Sequence, residues 1–403
     1  MTDWLDKSQV NARYYAAVAG DIAFETEASL GYHPGTVARL LLAHAASLGK
    51  ENVRILEIGA SSCLFARALL GELRLLGGTA WPELVRLDYL AVDLSRSALE
   101  RAVAWEEAQG THRRVLWPGG ARPSGPARPG RPEKPAMVAL VTIEGEEVNV
   151  GYVHADANQF VEANTLPFDF VILNELLDDM PCRAFYADGG GERLELVPLA
   201  HDDGERWTVR IDARDAPDAP ALPEESVTAR SAESVALVEG IARLLDPGGM
   251  LIVHDYGFPE DANGISDYEP GPPSQPSFVE VEYPQASAGH RFPRGFFRVF
   301  GNEALRAIQI TNDVNFAELA AILDATGETL VLPHGNQLVT SGAPLERGQG
   351  VFLTEFGLLE PRDDLSAVLE RLRGGQAEAR DRYVREHVNG HRSLFLDLVY
   401  VKR

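Results

Sequence analysis

Short apolar runs alternate with amphipathic stretches along most of the chain. Residues 1–50 read as helical: VARLLLAHAASLG (37–49) carries apolar residues at helical spacing and stops at Gly49. VRILEIG (53–59), LDYLAVDLS (87–95), VNVGYVHADA (148–157), FDFVILNE (168–175) and MLIVHDYG (250–257) are five β-rich runs. TLVLPHG (329–335) and LFLDLVYVKR (394–403) bring the number to seven. Between them lie helical stretches. In SSCLFARALLGELRLLGG (61–78), Phe65, Leu69, Leu73 and Leu76 share one face, and Gly77 and Gly78 end it. SALERAVAWEEA (97–108), SAESVALVEGIARLLDPGG (231–249) and DVNFAELAAILDATG (313–327) are the others.

Strands separated by helices predict an α/β fold: a seven-stranded, mostly parallel, Rossmann-like sheet covered on both faces. A helical region (1–52) precedes it, and the sheet is built from 53–182, 231–257 and 310–403. Two segments break the alternation. Residues 183–230 contain LELVPLAHDDGERWTVRID (194–212), which reads as a hairpin. Residues 258–309 are proline-rich at their start and read as a long loop, so that the two insertions together make a substrate-facing lid. WPGGARPSGPARPGRPEKP (117–135) has no apolar period and reads as a flexible excursion.

The chain carries 37 basic and 60 acidic residues, a net charge of −23. That field disfavours nucleic acid and anionic membrane and favours a cationic partner. Two cysteines, Cys63 and Cys182, point to a reducing compartment. No apolar run approaches the ~20 residues of a membrane span, and the start of the chain has no leader pattern. A cytoplasmic location is the expectation. The oligomeric state is open.

The chemistry gathers at the strand ends. Ligands of open α/β sheets bind beyond the carboxyl ends of the strands. Those ends carry Glu57, Asp93, Asp156, Asn174 with Glu175, and Asp255. A dinucleotide needs three spaced glycines against its pyrophosphate, and Gly59-Ala60-Ser61-Ser62-Cys63 keeps only the first. S-adenosylmethionine has no phosphate; it has a ribose diol, an adenine, an amino-acid end and a sulfonium. Asp93, with Leu94 beside it, suits the diol. Asp156, with Ala157, suits the adenine amino group. Glu57 and Asn174 suit the turn and the ammonium, and small residues at Ala60 and Ser61 leave room for the methionine end. The competing readings are local: Glu57 as a brace, Asp93 and Asp156 as helix caps, Asn174 in an Asx turn.

EIGASSC, YLAVDLS, HADA, FDFVILNE and LLDPGG, in this order, resemble the motifs of class I S-adenosylmethionine-dependent methyltransferases. NELLDDMP (174–181), HDYG (254–257) and ITNDVNF (310–316) resemble segments of the MidA-like family, which includes the mitochondrial complex I assembly methyltransferase. GDIAFET (20–26), HGNQ (334–337) and FLTEFGLLE (352–360) are similar to further family segments. The family pattern G-x-G-x-G stands here as Gly59-Ala-Ser61-Ser-Cys63, and Gln309 replaces the acid of its D-I-T segment. The resemblance implies methyl transfer to an arginine guanidinium on a protein. Glu175 is then the foremost catalytic candidate, supported by Asp178, with Asp255 and Tyr256 facing the acceptor. Asp179 reads as solvated and His254 as a satisfied core histidine. No metal-ligand spacing is present. A small-molecule methyltransferase and a non-catalytic S-adenosylmethionine-binding assembly factor are the alternatives.

Overall fold

The computed structural model describes residues 4–18, 33–80, 86–110, 113–116, 134–143, 148–264, 276–283, 292–302, 304–333 and 394–403. β1 (Leu5–Asp6) leads into α1 (Lys7–Val18), and α2 (His33–Ser47) precedes β2 (Asn52–Ile58). Next come α3 (Leu64–Ala80), β3 (Arg86–Asp93), α4 (Arg96–Ala108), β4 (Arg113–Leu116) and β5 (Ala136–Ile143). β6 (Val148–His154), α5 (Ala157–Ala163) and β7 (Phe168–Asn174) follow. β8 (Arg183–Ala187), β9 (Arg193–Asp202), β10 (Trp207–Asp215) and β11 (Ser226–Arg230) form a run of strands before α6 (Ala232–Leu244) and β12 (Leu245–Phe258). Then come β13 (Asn263–Gly264), β14 (Val279–Glu282), β15 (Phe297–Asn302), β16 (Ala307–Asn312) and β17 (Val314–Asn315). α7 (Phe316–Leu323), β18 (Gly327–Pro333) and β19 (Leu394–Lys402) complete the described chain.

The main sheet has ten strands in the order β18-β19-β12-β7-β2-β3-β6-β5-β4, with β17 pairing β12. All seven expected runs lie in it, but it is larger and more mixed than the expected seven-stranded sheet. β12, β7, β2, β3 and β6 run parallel side by side. β19 is antiparallel to both its neighbours, and β5 and β4 extend the other edge antiparallel. Of the three added strands, β17 is the two-residue Val314–Asn315 beside β12, and β5 and β4 come from AMVALVTI and RRVL, which flank the proline-rich excursion. That composition hides them, because a Pro/Gly/Arg-rich stretch without apolar period lies beside each and takes both out of the strand–helix alternation that marked the others. Residues 117–133 themselves lie outside the described residues, as do GDIAFET, HGNQ and FLTEFGLLE.

Period-two alternation sends successive strand residues into two cores. Ile55 and Phe170 pack with Leu41, Leu69 and Leu99 of α2, α3 and α4. Leu56 and Val171 pack with Phe160, Ile241 and Leu319 of α5, α6 and α7. β7, second from the middle and covered on both faces, is buried at all seven positions. Three helix boundaries differ from expectation. α3 runs through Gly77 and Gly78, expected as its end, to Ala80. α6 stops at Leu244, and Asp246-Pro-Gly-Gly249 lies within the entry to β12, where Gly248 takes φ +77°. α7 starts at Phe316 because Asn315 caps it, accepting from the Glu318 amide at 3.0 Å.

A second, seven-stranded sheet has the order β13-β11-β8-β9-β10-β14, with β1 on β9. β9 and β10 pair antiparallel from Leu194↔Asp215 to Asp202↔Trp207. Segment 258–309, expected as loop, supplies β13 and β14 to this sheet, and its β15 pairs β16. Val10 of α1 and Ile308 and Ile310 of β16 join the core beneath it.

Candidate cofactor and acceptor site

β2 ends in a tight turn. The Gly59 and Ala60 amides both donate to the Val92 carbonyl, at 2.8 and 3.1 Å, which ties the turn to β3. Gly59, Ser61 and Cys63 have φ of +80°, +47° and +58°. These are the three positions where G-x-G-x-G has glycine. The backbone thus keeps the left-handed shape although two of the glycines are gone, at a cost of about 1 kcal/mol for each side chain so held. A Cβ on Gly59 would stand 3.1 Å from Leu176 Cδ1, so this glycine also admits the turn that follows β7.

Asp93, at the end of β3, fixes the same turn. Its Oδ2 accepts from the Ser61 amide and its Oδ1 from the Ser95 amide, each at 2.6 Å. Each oxygen keeps a second lone pair for a ligand hydroxyl. Ser95, rather than Asp93, caps α4. Leu94 is exposed beside it.

Below the turn, Glu57 is buried and accepts from the Tyr89 hydroxyl at 2.8 Å. Burial pushes its carboxyl up to about 8, against the opposing hydrogen bonds from Tyr89 and Asn174. Glu57 therefore laces together the ends of β2, β3 and β7. Asn174 is committed to this network. Asp156 is buried and caps α5, accepting from the Gln159 amide at 3.1 Å; Ala157 is the first helical residue.

β7 gives way to a second turn at Glu175, which is half-buried at φ +46° and donates its amide to the His254 carbonyl at 2.8 Å. Asp255 lies beneath. Its Oδ2 accepts from the Leu177 and Asp178 amides at 2.8 and 3.2 Å, and its Oδ1 from the Tyr256 amide at 2.8 Å. It is fully buried, and burial followed by the charge of Glu175 pushes its carboxyl up to about 8. Asp255, expected to face the acceptor, is thus placed as the fastener of the turn. Asp178 is buried too, and its Oδ1 has no hydrogen-bond partner among the described residues. Burial and then Asp255 hold its carboxyl well above the usual range. Tyr256 is half-buried, with the Arg298 guanidinium 4.7 Å from its ring centre.

The reading of Asp179 as solvated is corrected. Its carboxylate accepts from Gln309 Nε2 at 2.7 and 2.6 Å, from Asn11 Nδ2 at 3.3 Å and from the Tyr15 hydroxyl. Burial raises its carboxyl, and the Tyr15 hydroxyl, the Lys7 charge and Gln309 oppose the shift. Gln309 stands where the D-I-T segment has an acid, so an amide donor here suits the Asp179 carboxylate where a second acid would repel it. His254 is fully buried, with Nδ1 2.9 Å from Asp397 Oδ1. Sequence reading missed Tyr89, Asn11, Tyr15 and Gln309. Only Gln309 carried a signal, as a departure from the family pattern.

The residues thus form two adjoining groups bridged by Leu176 against Gly59. One is the turn 59–63 with Glu57, Asp93 and Asn174. The other is Glu175, Asp178 and Asp255. The first group fits S-adenosylmethionine. It offers a left-handed turn at the start of α3, an acid after β3, and the buried Ser62 Oγ, which has no partner among the described residues. It lacks the glycine spacing that a pyrophosphate requires. No described group of three His, Cys, Asp or Glu residues is disposed to hold a metal. No described helix is long and apolar enough to cross a membrane.

A parallel β12-β7-β2-β3-β6 run, with such a turn after its central strand, defines the class: a Rossmann-like methyltransferase fold. The family model described as "Putative S-adenosyl-L-methionine-dependent methyltransferase" matches residues 36–333, and the chain belongs to that family. It is a methyltransferase whose cofactor is S-adenosyl-L-methionine, as the motif resemblance to class I S-adenosylmethionine-dependent methyltransferases implied. Among solved structures, an uncharacterised protein from Burkholderia thailandensis is 19% identical with a TM-score of 0.52, over 99% of this chain and 87% of that one. A member of the same superfamily from that organism, bound to S-adenosyl-homocysteine, is 19% identical with a TM-score of 0.51, over 99% and 88%. No curated protein matches the sequence.

Proposed function

We propose that the chain methylates a nitrogen, that of an arginine side chain on a cationic protein. The observation that carries this reading is the acid-rich turn: Glu175 in a left-handed conformation at the end of β7, backed by Asp178 and Asp255. When bound, the cofactor supplies an electrophilic methyl group on a sulfonium. Glu175 aligns the acceptor, because a guanidinium is a planar fork of donors that a carboxylate matches. It also receives the proton that the acceptor nitrogen sheds on methylation. Asp255 keeps Glu175 in place by holding the backbone around it.

The test is methyl transfer from tritiated S-adenosylmethionine into lysate of a strain lacking the gene, followed by hydrolysis and identification of the labelled amino acid. Methylarginine is the expected product. Glu175→Gln should lower the rate on the order of 100-fold while calorimetric affinity for S-adenosyl-homocysteine stays unchanged. Label recovered only in lysine or in the small-molecule fraction would refute the arginine reading.

A further inference from the structure

α1 precedes the family match, which begins at residue 36, yet one of its faces closes on the acceptor turn. Lys7, Asn11 and Tyr15 recur every four residues and so share that face. Lys7 is only 7% exposed. Its ammonium donates to the Asp178 carbonyl at 2.6 Å, to the Met180 carbonyl at 3.0 Å and to Asn312 Oδ1. Three donors thus meet three acceptors. Asn11 donates to the Ile310 carbonyl at 2.9 Å and accepts from the Ile310 amide at 2.8 Å, pairing with β16 as a neighbouring strand would. Asn312, in turn, donates its amide to the Asp178 carbonyl at 3.2 Å. The helix, β16 and the turn are one hydrogen-bonded unit.

All three acceptors of Lys7 are neutral oxygens. A buried cation is costly unless charges of opposite sign surround it. Here they do. Asp178 faces Glu175 and Asp179 from its own turn, Asp255 from β12 and Lys7 from α1. Among these groups Lys7 alone favours its ionised form. Asp179 faces Lys7 and Tyr15 from α1 and Gln309 from β16. Cys182 lies at the end of the same turn, donating to Asn312 Oδ1 at 2.9 Å, and also faces Lys7.

We propose that Lys7 is a positioning residue of the acceptor site: it fixes the turn that carries Glu175 and Asp178 and supplies the positive charge that Asp178 and Asp179 face. The inference rests on the methyl-transfer reading of the site. It makes α1 a working part of the site, not a cap over the fold.

The test compares the full-length protein with Lys7→Gln, which removes the charge, and Lys7→Arg, which keeps it. Three quantities are read: S-adenosyl-homocysteine binding by calorimetry, amide exchange of residues 176–182, and the pH dependence of methyl transfer from tritiated S-adenosylmethionine into the lysate. In Lys7→Gln, S-adenosyl-homocysteine affinity should be unchanged and the Leu177 and Asp178 amides should exchange on the order of tenfold faster. The acid limb of its rate profile should move up by about one pH unit, because loss of the cation leaves Asp178 easier to protonate. Lys7→Arg should keep the limb where it is, even at a reduced rate. Unchanged exchange and an unchanged limb in a Lys7→Gln protein that still binds S-adenosyl-homocysteine would overturn the role of Lys7 alone. A wild type that binds none would remove the reading of the site, and this role with it. Should Lys7→Gln fail to fold, Lys7→Arg decides, since a shifted limb with the charge retained contradicts the proposal.

Discussion

Glu57 and Ser61 show how single residues at the end of β2 answer to the site rather than to the local rules of the chain. The Glu57 carboxyl is pushed up to about 8 by burial, from 4.5. Between those values the native protein holds a proton that the unfolded chain has released, so stability falls as pH rises through that window. Asp255, raised to about 8 as well, acts in the same direction. Glu57→Gln removes one of these titrations. Its melting temperature should therefore decline less steeply than that of the wild type from pH 5 to pH 8 in differential scanning calorimetry. An identical slope would show that Glu57 stays ionised in the fold. Ser61 and Cys63 differ in another way. Ser61 is half-buried at φ +47°, so Ser61→Gly relieves a left-handed side chain and should stabilise the protein by about 1 kcal/mol in urea unfolding. Cys63, at φ +58°, is buried in the core with Leu69 and Phe65, so Cys63→Gly loses packing and should gain nothing.

The elements differ in how much of them could be read from the chain. β2, β3, β6, β7 and β12 announced themselves because each is an apolar run closed by an acid or amide, and burial on both faces of a parallel sheet demands that composition. The turn after β7 was readable only as an acid-rich segment. Its architecture depends on Asp255, 78 residues away from Leu177 and 77 from Asp178. The α1 contacts span more: Lys7 meets Asp178 across 171 residues, and Asn11 meets Ile310 across 299. No periodicity or cap signal reports a pairing of that range. β4 and β5 were hidden by the proline-rich stretch between them. The turn after β7 can be tested as an element. Asp255→Asn replaces one acceptor oxygen with a donor facing backbone amides. It should destabilise the protein by about 2 kcal/mol and lower methyl transfer by misplacing Glu175, with S-adenosyl-homocysteine affinity retained. Loss of affinity in step with activity would place Asp255 in the cofactor site instead.

At the scale of the whole molecule, 60 acidic side chains face 37 basic ones, and the chain has only four lysines. One of those, Lys7, is buried against the acceptor turn, so its charge is spent inside the fold and the surface keeps an excess of carboxylates. Such a field serves solubility in any case. It serves the reaction only if the acceptor is cationic, and the two roles separate in salt. Surface fields fade within a Debye length of about 10 Å at 0.1 M salt, so steering of a charged protein weakens steeply as salt is added. For an arginine-rich protein acceptor, kcat/KM should fall on the order of tenfold between about 0.02 M and about 0.3 M NaCl. The loss should lie in KM, because Glu175 and Asp178 act at contact distance and are little screened. S-adenosyl-homocysteine binding, measured by calorimetry over the same range, should change much less, since that ligand carries no net charge. A flat kcat/KM would mean that the acidic surface takes no part in acceptor capture, and recognition would then rest on the acid-rich turn alone.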